Sequence, residues 1–166
     1  KWQKILTAEP MALSKVGDNI VFATNNKGIY MINQEGEEIW RDHYPIWQGL
    51  GISSEMNPIV SIIGNGSDLV IWSAAGGMMV LDKERTLKIS KIFKLNDKIS
   101  NVIFSKNGGW FIMMHGKSIV IQTDIKSYYR YSIENTPLNI ILNKNLILEK
   151  YNSLDEKIFN KKLFKF

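Results

Sequence analysis

The residues able to do chemistry in this 166-residue chain are few. The two histidines are His43 and His115. A metal site built on them needs a further ligand, for which Asp42 is the nearest candidate in sequence. The plainer reading is two exposed or packing histidines, and it is the default. The chain contains no cysteine, so disulfides, thiolate metal sites and a cysteine nucleophile are excluded. The turns Gly64-Asn65-Gly66 and Ala75-Gly76-Gly77 are glycine-rich but lack the following helix and the Lys-Ser/Thr of a phosphate loop. They read as hairpin turns. Asn65-Gly66-Ser67 fits a glycosylation sequon, a pattern short enough to occur by chance. The pair Glu37-Glu38 adjoins a turn, where exposure is expected. No Ser/His/Asp or paired-carboxylate arrangement follows from spacing. The expectation is therefore no catalytic residue, no metal site and no cofactor.

One stretch stands apart. His43–Asn57 reads HYPIWQGLGISSEMN and is longer than the other connections. It carries Tyr44 and Trp47, side chains that give large contact area at low entropic cost. His43, Tyr44, Trp47 and His115 are the candidate binding residues. The alternative for Trp47 is packing back on its own repeat.

Elements must position these residues, and the composition says of what kind. Hydrophobic residues make up 45% and charged residues 22%, values of a folded chain rather than a disordered one. Aromatics at 11% suit strands. The length allows one domain with a sizeable core, expected over residues 1–166. The net charge of +5 arises from scattered lysines with a modest excess at Lys157, Lys161, Lys162 and Lys165. Without clustering it argues for a solvated surface, and nucleic acid is an unlikely partner. No apolar run reaches the roughly 18 residues of a membrane span. The chain starts at Lys1 without a signal-peptide pattern and reads as a piece of a longer chain. The compartment is open, with an extracytoplasmic one slightly favoured.

Short apolar stretches recur between turn residues. The first group has three strands, Asn19–Ala23, Ile29–Ile32 and Glu38–Arg41, joined by tight turns. The second has four, at Pro58–Ile63, Asp68–Ser73, Met78–Leu81 and Leu87–Phe93. The third has four, at Ile99–Phe104, Trp110–Met114, Ser118–Ile121 and Tyr128–Ile133. The fourth begins with Leu138–Leu142 and Leu146–Glu149 and ends at Ile158–Phe164; the tail Leu154–Phe166 also reads as a short amphipathic helix through Leu154, Ile158 and Leu163, with strand preferred because the repeat register asks for one. Its missing strand is expected from Trp2–Leu6. Equivalent turns at Gly17, Gly66, Gly108 and Asn145 are 49, 42 and 37 residues apart, against roughly 40–50 for a four-strand repeat. Trp72 and Trp110 fall within strands and are expected to pack between repeats. Met78-Met79 and Met113-Met114 are adjacent strand residues, which point to opposite faces.

The segment Gly28–Trp40, GIYMINQEGEEIW, resembles the blade signature of pyrroloquinoline-quinone-type β-propellers. In that family a small residue precedes an aromatic-containing strand, followed by Asn or Asp, a turn Gly and an apolar residue before a Trp. The resemblance implies that Trp40 docks between blades, where a large aromatic buries much area. Trp2 is a candidate for the same docking position of a preceding blade. Gly77–Asp82 keeps the strand and acidic residue without the Trp, and Ser118–Asp124 keeps less. Ile99–Gly109, ISNVIFSKNGG, is similar instead to tryptophan–aspartate repeat propellers. The implied fold is all-β: a small or partial β-propeller of about four antiparallel four-stranded blades, the N-terminal strand closing the last one. A closed ring, an arc completed by another chain and a fragment of a larger propeller all remain open. Nothing matches the cofactor or metal residues of the quinone-dependent dehydrogenases of this fold.

In such a propeller the loops holding His43 and His115 lie on one face. The expected function is a non-enzymatic binding or scaffolding module, acting through that face and the 43–57 loop on another protein or the rest of a longer chain. The alternative is a small-ligand-binding, sensor or metal-dependent enzyme domain with its site at His43 and His115.

Overall fold

The computed structural model describes residues 3, 5–25, 27–65, 67–82, 84–95, 97–105, 109–115, 118–122, 128–132, 139–142 and 146–149. The chain divides into two compact units, Lys1–Val102 and Ile103–Phe166. Among the described residues every regular element is a strand except a one-turn 3-10 helix at Ser54–Met56, and no helix is long and apolar enough to cross a membrane.

The first sheet has the order β1 (Pro10–Val16), β2 (Asn19–Thr24), β3 (Gly28–Ile32), β4 (Glu38–Asp42), each antiparallel to its neighbour. The first group thus has four strands where the sequence pattern gave three. β1 escapes the pattern because its inward positions are small or polar: Ala12 and Val16 pack on the core, while Leu13 is 68% exposed. The second sheet is β5 (Ile59–Asn65), β6 (Asp68–Ser73), β7 (Gly77–Leu81), β8 (Leu87–Ile92) in the same order. Then come β9 (Ile99–Ser105), β10 (Gly109–Met114), β11 (Ser118–Gln122) and β12 (Tyr128–Ser132), again a four-stranded meander. β13 (Asn139–Leu142) and β14 (Leu146–Glu149) form a hairpin.

The expected closing strand is Trp2–Leu6. Of it, Gln3, Ile5 and Leu6 are described and carry no strand, and Ile5 is almost fully exposed. Trp2, the partner stretch Ile158–Phe164 and the whole tail Leu154–Phe166 lie outside the described residues.

The period of two along each strand sorts the side chains. In the first meander Val21, Ala23 and Ile29 point one way with Met31 and Trp40, and Phe22 points the other, stacked on Tyr30 with ring centroids 5.2 Å apart. The first set joins Ile59, Ile62, Leu69, Ile71 and Leu81 of the second meander in one core. The opposite face of the second meander carries Val70, Val80, Met78 and the fully buried Trp72, which stacks on Phe93 at 5.2 Å. Met78 is buried and its neighbour Met79 packs on the core shared with the first meander, so the pair does fill both faces. Met113 and Met114 are both buried; the Trp110 side chain lies outside the described residues.

The leading strands lie side by side. Gly64 of β5 donates its N–H to the Ser14 hydroxyl of β1 at 3.3 Å, and a Cβ at Gly64 would come within 2.9 Å of the Lys15 carbonyl and Val16. The Ser61 hydroxyl of β5 also donates to the Val102 carbonyl at 3.2 Å.

Candidate functional site

Residues 43–58 connect β4 to β5, and the side chains with the most contact area in this loop face inward. Tyr44 is buried. Its oxygen accepts the Ile59 N–H at 2.7 Å, and its hydroxyl donates to the Asn57 carbonyl at 3.3 Å. Burial pushes the Tyr44 phenol above its ordinary value, with the Ile59 N–H pulling slightly the other way. Asn57 is buried too, and its side-chain oxygen accepts the Ala75 N–H at 2.8 Å. The two ends of the loop are thereby tied to each other and to the β6–β7 turn.

Trp47 is 5% exposed and lies flat against Gly77 at the start of β7. A Cβ at Gly77 would come within 2.5 Å of the indole Cδ2, so only glycine admits the ring there. The loop then turns at Gly49 and Gly51, both with positive φ. Among the described residues the buried Trp47 indole N–H has no hydrogen-bond acceptor, a cost set against its packing.

Tyr44 and Trp47 therefore hold the loop, and other residues face solvent. Ile46 is 76% exposed, Met56 66% and Ile52 44%. These are three of the seven exposed large hydrophobics among the described residues, so the loop concentrates apolar surface. Reading the sequence singled out the aromatics and missed these aliphatics, because composition does not say which loop side chains turn inward.

His43 is exposed at the start of the loop, its backbone N–H bonded to the Asp42 carboxylate at 2.7 Å. His115 is exposed at the turn after β10, in the second compact unit. Among the described residues no group of three or more His, Cys, Asp or Glu side chains is placed to hold a metal ion.

The β3–β4 and β7–β8 connections share one five-residue turn. Asn33 accepts the N–H groups of Glu35 and Glu37 on its side-chain oxygen, at 3.0 and 2.8 Å. Asp82 does the same for Glu84 and Thr86, at 2.9 and 2.8 Å. The backbone bonds match as well: Gly36 N–H to the Asn33 carbonyl, and Arg85 N–H to the Asp82 carbonyl. The fourth turn residue has positive φ in both, 84° at Gly36 and 68° at Arg85. At this end of the two meanders lies a groove of about 270 Å³, walled by Met31 and Trp40 on one side and by Leu69, Leu81 and Arg85 on the other.

No protein-family model matches the sequence, and no curated protein matches it. Solved structures do match. A streptogramin B lyase structure superposes with a TM-score of 0.60 at 14% identity, covering 83% of this chain and 45% of that one. The WD40 repeats of RRP9 give 0.60 at 10% identity, covering 80% and 41%. BBS1N, from its complex with ARL6DN, gives 0.61 at 10% identity, covering 85% and 50%. The chain thus spans half or less of the length of each. At such identities the likeness shows the fold alone. That fold is the β-propeller repeat, with antiparallel four-stranded blades.

Proposed function

We propose that this propeller domain is a non-enzymatic binding module whose 43–57 loop docks on another protein. The observation that carries the reading is the division of labour within the loop. Tyr44, Trp47 and Asn57 are buried and fix its course, while Ile46, Ile52 and Met56 stand in solvent. A loop fixed in advance loses little backbone entropy on binding, which leaves more of the gain from burying its exposed apolar side chains. His43, at the root of the loop, adds a polar contact at the rim. BBS1N, a structure of similar fold, was solved in complex with ARL6DN, and we take that complex as support for a binding role.

The test compares the native chain with a variant carrying Ile46→Ser, Ile52→Ser and Met56→Ser. These positions are exposed, so each change should leave stability within about 0.5 kcal/mol. A partner identified by crosslinking to the 43–57 loop should bind the native chain and lose about 10-fold or more of its affinity for the variant. Equal binding to both proteins, with both folded, removes the loop from the function.

A further inference from the structure

We propose a second, separate binding site in the groove between the first two blades: Arg85 and Trp40 together receive an acidic peptide segment that carries a bulky apolar side chain.

Arg85 is the one non-glycine residue with positive φ among those described, at 68°. The same turn in the preceding blade places Gly36 there. A side chain in this region is strained, and glycine is the residue that relieves it. Packing gives no return for the strain. Arg85 is exposed, and among the described residues its guanidinium has no carboxylate partner. Its guanidinium carbon lies 5.9 Å from the ring centroid of Trp40 on the neighbouring blade. That is the outer limit of a cation–π contact and a weak one at an exposed site. Strain without a stabilising contact at the mouth of a groove points to function.

The groove states what it would hold. Val16, Met31, Trp40, Leu69 and Leu81 make its floor apolar, and Asn19 and Ser67 offer hydrogen bonds. Its volume of about 270 Å³ lies just under the range of small-molecule and cofactor pockets. It suits a peptide side chain. The Asp82 carboxylate, also on the wall, already accepts two backbone N–H groups of its own turn. Those bonds engage Asp82 without removing its charge, and Arg85 is the cation among the lining residues, where a carboxylate next to the apolar anchor would pair. The chain's net charge of +5 favours approach of an acidic segment.

The probe is an acetylated, amidated Glu-Phe-Glu tripeptide, titrated into the isotope-labelled full chain. The signals followed are the Trp40 indole N–H and the Arg85 Nε–H. Saturable shifts at both are expected at millimolar peptide. Gln-Phe-Gln and Glu-Ala-Glu should each bind about 10-fold more weakly or not at all. Arg85→Gly should lose the preference for Glu-Phe-Glu over Gln-Phe-Gln while remaining folded, since Gly36 holds the same turn in the first blade. Arg85→Gln, which keeps the side chain's length, should lose it too. Equal affinity for the acidic and neutral peptides, an unshifted Trp40 indole, or an unaltered preference in Arg85→Gly would overturn the site.

Discussion

At the scale of single residues, Arg85 and Tyr44 carry opposite balances of strain and support. Replacing Arg85 by Gly relieves a left-handed backbone conformation at a turn that Gly36 already occupies in the other blade. The left-handed penalty of a side chain, about 1–2 kcal/mol, is partly offset by the greater freedom of glycine in the unfolded chain, about 0.5–1 kcal/mol. Arg85→Gly should therefore stabilise the protein by about 0.5–1 kcal/mol in urea unfolding. A loss of stability would mean that the guanidinium contributes more through Trp40 than its 5.9 Å separation indicates. Tyr44→Phe works the other way. It strips the acceptor from the Ile59 N–H and the donor from the Asn57 carbonyl, both buried, and should cost about 1–3 kcal/mol. The phenol also has a pH signature. Its proton is held more tightly in the fold than in the unfolded chain, so its contribution is intact below the ordinary tyrosine value of about 10. It is lost as pH rises from there through the folded value. Stability measured across alkaline pH should fall less steeply in Tyr44→Phe than in the native chain. None of this was legible in the sequence. The turn residues DKERT do not announce the kinship with NQEGE until the hydrogen bonds are seen, and a loop tyrosine does not reveal that it is buried.

At the scale of elements the sequence is far more informative, and the reason is the strand period. Asp68–Ser73 and Leu146–Glu149 fall where the apolar runs put them, because each run is bounded by glycine, asparagine or charged turns. β1 is the instructive exception. Pro10, Ser14 and Lys15 interrupt its apolar character, and its inner face needs small side chains where Gly64 and β5 approach. A strand selected for close approach loses the signal by which strands are found. The loop between β4 and β5 shows a second limit. Its length marked it as distinctive, but its anchorage depends on Gly77, a residue in a different blade. Gly77→Ala makes that dependence measurable. The added methyl would come within 2.5 Å of the Trp47 ring, which must move. Such overpacking should cost about 1–3 kcal/mol by chemical denaturation. It should also speed backbone hydrogen exchange at Trp47–Leu50, leaving the pairing of β2 with β3 untouched. Unchanged exchange in the loop would mean that the Tyr44 and Asn57 hydrogen bonds alone hold it.

For the whole molecule, a β-propeller likeness at 10–14% identity makes physical sense. A blade asks for four alternating strands, permissive turn residues and one large apolar contact to its neighbour, and many sequences meet those demands. Here Trp40 stands between the first two blades, and Trp72 stacks on Phe93 on the opposite face of the second. The same permissiveness explains why the repeat reveals fold and not partner: its invariants are spent on packing. We propose that residues 1–166 fold as one repeat domain. In a stack of blades each sheet needs a neighbour to bury its second face, which couples their unfolding. Calorimetry should then show one transition whose measured enthalpy equals the van't Hoff enthalpy. The variant Trp72→Ala, which opens a cavity at a side chain with no exposed surface, should lower that single transition as a whole, by about 3–5 kcal/mol of stability. Two resolved transitions, with Trp72→Ala displacing only one, would show that Lys1–Val102 folds independently of Ile103–Phe166.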